Sequence, residues 1–261
     1  MLDIKQIESS FPEDLRPYKR NLLREYLQYK ILEIVFDSEF GAKLFFMGGT
    51  ALHIIHSNTR FSEDLDFDNL GLDHKDFEQL TETIKKKLEL EGCNVEIQNV
   101  MKGAYQSYIR IPDILFLNGL SRHREEKMLI QIDMEPQGVS YRPDKVILNK
   151  FDVFLRINVV SVDLMLSQKI FAIFDRRRPM GRDFYDVVFL FSMTKPNLGY
   201  LEAKVDIKGL KALKKKLLLR CKDLDFRQLA RDVEPFLYHS KDSKKVLFFQ
   251  DYIRGLKFEE K

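Results

Sequence analysis

The 261-residue chain has only two cysteines, Cys93 and Cys221, too few for a disulfide framework, and a pair of reduced thiols is expected. No apolar run approaches the roughly 18 residues that a membrane-spanning helix needs. The opening stretch MLDIKQIESSFPEDLRPYKR carries acids and no apolar core, so no secretory signal is expected. Charge of one sign is not in excess either. The 43 Lys and Arg against 40 Asp and Glu leave +3, which excludes both an acidic disordered chain and a histone-like basic one. Internal repeats and low-complexity segments are missing. What remains, 44% apolar and 32% charged residues, describes a globular, non-membrane chain expected in the cytoplasm.

The balanced total hides an asymmetry. Residues 195–261 carry 17 basic and 10 acidic side chains, whereas the first 194 residues carry 26 and 30. An acidic centre with a basic annex is one reading, and a solvated helix face is the plainer one. Steps of three and four among Leu22, Leu23, Tyr26, Leu27, Ile31, Ile34 and Val35 predict a helix over 18–38. Leu44-Phe45-Phe46-Met47 reads as a buried strand bounded by Gly48 and Gly49, followed by a short helix over 50–57 and a second strand over 65–67. A helix over 76–91 precedes strands over 95–101, 105–111, 127–134 and 153–159. Ser161 is an N-cap candidate for a helix over 162–176, and another helix follows over 182–191. Beyond Leu201 the pattern is helical. The order gives an α+β class, divided as a core over 1–192 with an N-terminal helix and a helical, basic region over 193–261.

The chemistry concentrates in two places. Gly48 and Gly49 end an apolar strand and let backbone N–H groups approach a ligand closely. A helix beginning at Thr50 points its free N–H groups the same way, a disposition suited to phosphates, and Thr50 adds a hydroxyl donor. Asp64 and Asp66 alternate with Leu65 and Phe67, so on a strand both carboxylates share one face. Two close carboxylates repel unless a cation lies between them, and hard oxygen donors beside a phosphate site suit Mg2+. Cradle and acid pair together point to metal-assisted phosphoryl or nucleotidyl transfer. Asp133, at the end of Leu129-Ile130-Gln131-Ile132, is a candidate third carboxylate. Asp68 continues the alternation, but Asn69 and Gly71 follow it and favour a turn-forming role. His53 and His56 stand three apart on a helix, yet with no third ligand they are read as structural.

The segment GGTALHIIHSNTRFSEDLDFD resembles the first motif of the nucleotidyltransferase AbiEii/AbiGii toxin family, a branch of the DNA polymerase β-like superfamily that includes the MenT toxins. Gly48, Gly49, Thr50, Arg60, Ser62, Asp64, Asp66 and Phe67 match it position by position. Downstream, Lys169, the basic run Arg176-Arg177-Arg178, and Arg182, Asp183 and Asp186 match the family's lysine, basic loop and Arg-Asp-x-x-Asp helix start. The resemblance covers roughly residues 20–192. It implies a polymerase-β-like core. It implies that Asp64 and Asp66 hold Mg2+, with Asp133 as a third candidate, and that Gly48, Gly49, Thr50 and Ser62 meet the nucleotide. Lys169 and Arg176, Arg177 and Arg178 would neutralise phosphate charge, and Asp183 would orient Lys169 or contact the base–sugar unit. Asp186 reads as a helix-start or arginine-pairing carboxylate.

The expected activity is therefore Mg2+-dependent transfer of an NMP from an NTP to a hydroxyl acceptor. The resemblance suggests RNA, tRNA-like, as acceptor, and a toxin–antitoxin setting with a cognate antitoxin. Two other classes stay open on sequence grounds: an NTP-binding regulator without transfer, and a partner-binding protein that uses the core as scaffold.

Overall fold

The computed structural model describes residues 1–257, so the last four residues of the basic C-terminal stretch lie outside the described residues. By packing, the chain forms two compact units, Met1–His56 with Ser62–Val160, and Ser57–Phe61 with the chain from Ser161 onward.

The first unit contains α1 (Ile4–Ser9), α2 (Lys19–Phe36), β1 (Leu44–Met47), α3 (Gly48–His56), β2 (Leu65–Asn69), α4 (His74–Leu90), β3 (Glu96–Lys102), β4 (Ala104–Ile111), α5 (Ile114–Leu117), β5 (Met128–Glu135), β6 (Asp144–Lys150) and β7 (Val153–Val159). Its strands form one seven-stranded sheet in the order β3-β4-β5-β2-β1-β7-β6. Two neighbouring pairs, β2 with β5 and β1 with β7, run parallel, and the others antiparallel. The central strands read as expected. Leu44, Phe46, Leu65 and Phe67 are fully buried, each such side chain contributing about 1.5–3 kcal/mol of burial.

Helix α2 is buried around most of its circumference, which explains why its apolar residues do not keep to one stripe. Its buried polar residues have partners. Glu25 meets His53 and Lys150 at 2.8 and 2.7 Å, Gln28 donates to the Ser62 carbonyl, and Lys30 pairs with Glu33 at 2.7 Å and Glu91 at 2.9 Å. Helix α4 starts on a reciprocal cap between Asp73 and Asp76 and buries Phe77, Leu80, Ile84 and Leu88, the stripe its spacing predicts. Strand β6 has no counterpart among the expected strands. It is an edge strand whose ends are charged, so its only strongly apolar stretch is Val146-Ile147-Leu148, too short for a pattern.

The second unit is helical, with α6 (Val162–Asp175), α7 (Gly181–Phe191), α8 (Leu198–Val205), α9 (Leu210–Arg220), α10 (Phe226–Val233), α11 (Lys244–Leu247) and α12 (Phe249–Gly255). Phe184, Phe226 and Phe249 form its aromatic centre, Phe226 stacked on Phe249 at 5.9 Å and Phe184 edge-on at 4.9 Å. The change of charge near residue 193 and the packing division after Val160 describe different things. The first marks where basic residues accumulate, and the second where the sheet ends.

Much of the basic character of α9 is structural. Lys214 donates to the carbonyls of Arg254 and Leu256, Lys216 to those of Val205 and Asp206, and Arg220 to those of Ile173 and Arg176. Three cations of one helix thus satisfy the carbonyl ends of α12, α8 and α6, where the helix dipoles also favour positive charge. Lys215 is exposed. Among the described residues no helix is long and apolar enough to cross a membrane, and Cys93 and Cys221 are both buried and unpaired.

Gly181 opens α7 where the backbone of α10 passes close by. A Cβ there would lie 2.9 Å from the carbonyl carbon of Leu229 and closer still to its oxygen, a clash with backbone rather than with a movable side chain. Gly181→Ala is therefore expected to destabilise the protein by about 1–3 kcal/mol. Thermal denaturation checks this, and an unchanged Tm would show that the approach yields without cost.

Candidate active site

At the end of β1 the chain turns sharply at Gly48, whose φ of +80° suits glycine, and α3 begins at once. Register aligns this turn with the acids. Met47 of β1 pairs with Asp66 of β2, and Asp66 pairs in parallel with Asp133 of β5. A Cβ on Gly48 would lie 2.6 Å from the Asp66 Cγ, so the missing side chain makes room for that carboxylate. Leu65 and Phe67 are buried on one face, and Asp66 is half-buried on the other, as its alternation predicts; Asp64 is half-buried immediately before the strand. Thr50 is fully buried and its hydroxyl donates to the Asp64 carbonyl. It therefore acts on the acids through the backbone that carries them. Gly49 is buried beside it, and Ser62 is half-buried with its carbonyl held by Gln28. Glu63 is tied to Arg24 at 2.8 Å.

Asp133 accepts from Gln106 at 2.9 Å and from Gln131 at 2.8 Å, so two amides fix its carboxylate beside Asp66. Among the described residues no three His, Cys, Asp or Glu side chains are gathered as a cation cage. The fit of a hard cation rests on the oxygens of Asp64 and Asp66, with Asp133 next in register.

Asp68 differs from its expected turn role. It lies within β2, 3% exposed, and accepts from the Gln137 amide at 2.8 Å and from the Tyr141 hydroxyl, so it straps the segment after β5 onto the sheet. The turn belongs to Asn69, whose Oδ1 accepts from Gly71 and Leu72 at 3.1 and 2.7 Å. Tyr141 also packs edge-on against Phe45 at 5.6 Å. No short-range pattern marks this strap, because its partners lie about seventy residues apart.

His53 is held by Glu25, which fixes the later turns of α3. Burial acts to raise the Glu25 carboxyl, but His53 and Lys150 outweigh it and hold it below the usual range. Burial pushes the His56 imidazole down.

The second motif forms a network of its own in the helical unit. Lys169 of α6 lies 3.0 Å from Asp186 and 3.7 Å from Asp183, both on α7. Asp183 is 1% exposed and meets Arg176 at 2.9 Å, yet neither of its oxygens accepts a well-aligned hydrogen bond. Asp186 is fully buried. It is gripped by Arg60 through two bonds of 2.6 Å and by Asn58 at 2.9 Å. Arg60 reaches it because Ser57–Phe61 belongs to this unit. Tyr238 donates to the Thr59 carbonyl, Phe61 to that of Phe236, and Arg60 bridges Leu237. Three cations thus face two carboxylates, one positive charge in excess. Arg177 and Arg178 are exposed, and Arg182 is half-buried. The reading of Asp186 as an arginine-pairing carboxylate meets its partner in Arg60. Both residues stand in the two motifs, and only their pairing across 126 residues was hidden.

The overall fold of the chain is found in solved structures. MenT4, a nucleotidyltransferase toxin from Mycobacterium tuberculosis, shares it with a TM-score of 0.58 and 15% identity, over 98% of this chain and 91% of that one. JHP933 from Helicobacter pylori does so with a TM-score of 0.54 and 17% identity, over 89% of this chain and 91% of that one. Curated proteins give no match. The family model described as nucleotidyl transferase AbiEii toxin, type IV TA system, matches residues 30–253. The chain belongs to this family of nucleotidyltransferase toxins.

Burial alone would raise the Asp186 carboxyl, but Arg60 and Lys169 outweigh it and hold it at about 2 against an ordinary 3.8. A depressed carboxyl stabilises the fold above its unfolded value, and that stability is lost as pH falls toward 2. About 2 kcal/mol is therefore expected to disappear between roughly pH 4 and pH 2. Asp186→Asn strands the buried Arg60 charge and is expected to cost about 3–5 kcal/mol at pH 7. Urea denaturation of both proteins across this range tests it. An equal acid limb in the variant would remove Asp186 as its cause.

Proposed function

We propose that the protein is an Mg2+-dependent enzyme that moves an NMP from an NTP onto a hydroxyl of an RNA acceptor, tRNA-like, in the cytoplasm, and that a cognate antitoxin protein restrains it. The observation that carries this reading is the register of Met47, Asp66 and Asp133, which sets the Gly48 turn and the start of α3 against the acid row. Asp64 and Asp66, with Asp133 as a further ligand, would hold Mg2+, which when bound would lower the pKa of the acceptor hydroxyl and offset charge on the departing phosphates.

The residues of the chain supply the rest. Backbone N–H groups at Gly48, Gly49 and Thr50, the first turn of α3, cradle the triphosphate, and Ser62 contacts the nucleotide. Lys169 and the run Arg176, Arg177 and Arg178 stabilise the charge that develops on pyrophosphate. Their network already holds one positive charge beyond its two acids, which favours an anion. Asp183, with no well-aligned hydrogen bond, either positions Lys169 or accepts from the base–sugar unit. In the reaction the acceptor hydroxyl gives its proton to solvent as its oxygen forms a bond to the α-phosphorus. The bond from that phosphorus to the β-phosphate bridge breaks, and pyrophosphate leaves.

Incubating the protein with each labelled NTP and total RNA, with and without Mg2+, tests the reading. Label is expected in RNA only with Mg2+. Asp66→Asn should lower transfer by at least about 100-fold while leaving the fold intact, since asparagine keeps the size and shape of the side chain and removes only its charge. Full transfer by the variant would remove Asp66 from the chemistry, and no label in RNA with any NTP would remove the RNA acceptor.

A further inference from the structure

The acid-bearing face of the sheet does not end at the acids. Phe46 and Val159 pair in register and are both buried, so Met47 and Asp66 share the opposite face with Asn158, Arg156 and Phe154 of β7. On β6 the residues across from these are Lys145, Ile147 and Asn149, which pair with Asn158, Arg156 and Phe154 in turn. This outer face of the β6–β7 ribbon is open. Phe154 is 70% exposed and Ile147 55% exposed, and Lys145 and Arg156 are exposed as well. Neither cation is engaged in an ion pair with any described residue, and no acid stands on this face of the two strands. Two strand spacings, roughly 10 Å, separate β7 from β2.

An exposed phenylalanine followed along the open face of the ribbon by two cations outside any ion pair, first Arg156 and then Lys145, has the composition of a platform for single-stranded nucleic acid. The ring stacks on a base of any identity, and the cations meet the backbone phosphates. A protein partner would be served by the apolar residues, but it gives no reason for two cations and no acid around them. We infer that the outer face of β6–β7, centred on Phe154 and Arg156, binds the single-stranded part of an RNA acceptor and leads it along the sheet to the acid row. This inference rests on the reading of the protein as a transferase acting on RNA.

The test titrates the full chain into a fluorescein-labelled 12-mer of oligo(U) RNA in EDTA, without NTP, at several salt concentrations, and follows anisotropy. Phe154→Ala is expected to weaken binding about tenfold or more. The double variant Lys145→Ala/Arg156→Ala is expected to reduce the slope of log K against log salt by about 1.4, roughly 0.7 for each lost phosphate contact. Leu219→Ala, at another exposed apolar position on α9, should change neither. All these positions are exposed, so the variants keep the fold. Wild-type affinity and slope in the ribbon variants, or no oligo(U) binding by the wild type, would overturn the inference. Light scattering that shows Phe154→Ala dissociating a dimer, with RNA affinity untouched, would assign the face to a second copy instead. Because neither NTP nor divalent cation is present, the titration reads the platform apart from the chemistry. Binding through Phe154 with no label in RNA in the NTP incubation would support the platform and remove RNA as the acceptor of the transferred group.

Discussion

Arg60 and Asp186 are both removed from water, and neither is tolerable without the other. A buried guanidinium left alone would cost several kcal/mol, and so would a buried carboxylate. Joined by two bonds of 2.6 Å, and with Lys169 and Asn58 on the same carboxylate, they become a fixed point of the helical unit. Lys169 and, through it, Asp183 and Arg176 take their places from this pair. So does the segment from Ser57 to Phe61, which would otherwise be an ordinary loop between α3 and β2. The pair itself confers little net stability, since desolvation offsets most of its attraction. What it supplies is definition: one arrangement of five charged groups in place of many.

The acid row depends on a different constraint, the exclusion of a single Cβ. Gly48 has room for φ +80° and no side chain, and Asp66 occupies the space this leaves. Thr50 then ties the same turn to the backbone of Asp64. The turn that would meet a phosphate and the strand that would meet a cation are thus parts of one rigid corner. Their relative placement does not depend on any long, mobile side chain, which is what preorganisation of a charged site requires.

Much of this was legible in the sequence for a definite reason. Strand β1 is a short apolar run, β7 alternates, α4 keeps one apolar stripe, and Asp64 and Asp66 alternate with Leu65 and Phe67, so short windows contain the signal. What stayed hidden depends on partners far along the chain. Asp68 looks like a turn residue until Gln137 and Tyr141 arrive to claim it. Lys214 and Lys216 look like solvated cations until the ends of α12 and α8 are brought to them. Thr50 looks like a ligand donor until the Asp64 carbonyl is placed beside its hydroxyl. In each case the side chain is polar and its local sequence permits two roles, and packing alone decides between them.

The path of the chain has a consequence for how the molecule can be taken apart. It leaves the sheet-bearing unit after His56, spends five residues with the helical unit, returns at Ser62, and departs again after Val160. No single cut separates the two. A fragment ending at Val160 would keep every strand yet carry Arg60 without Asp186, a guanidinium shaped for burial and given no counter-charge. The helical part expressed from Ser161 would keep Asp186 and lack the arginine that grips it through two bonds. Dissection of this protein would succeed only by transplanting the five-residue segment along with the helices, which cuts the first motif in two: Arg60 leaves with the helices, and Gly48, Asp64 and Asp66 stay with the sheet.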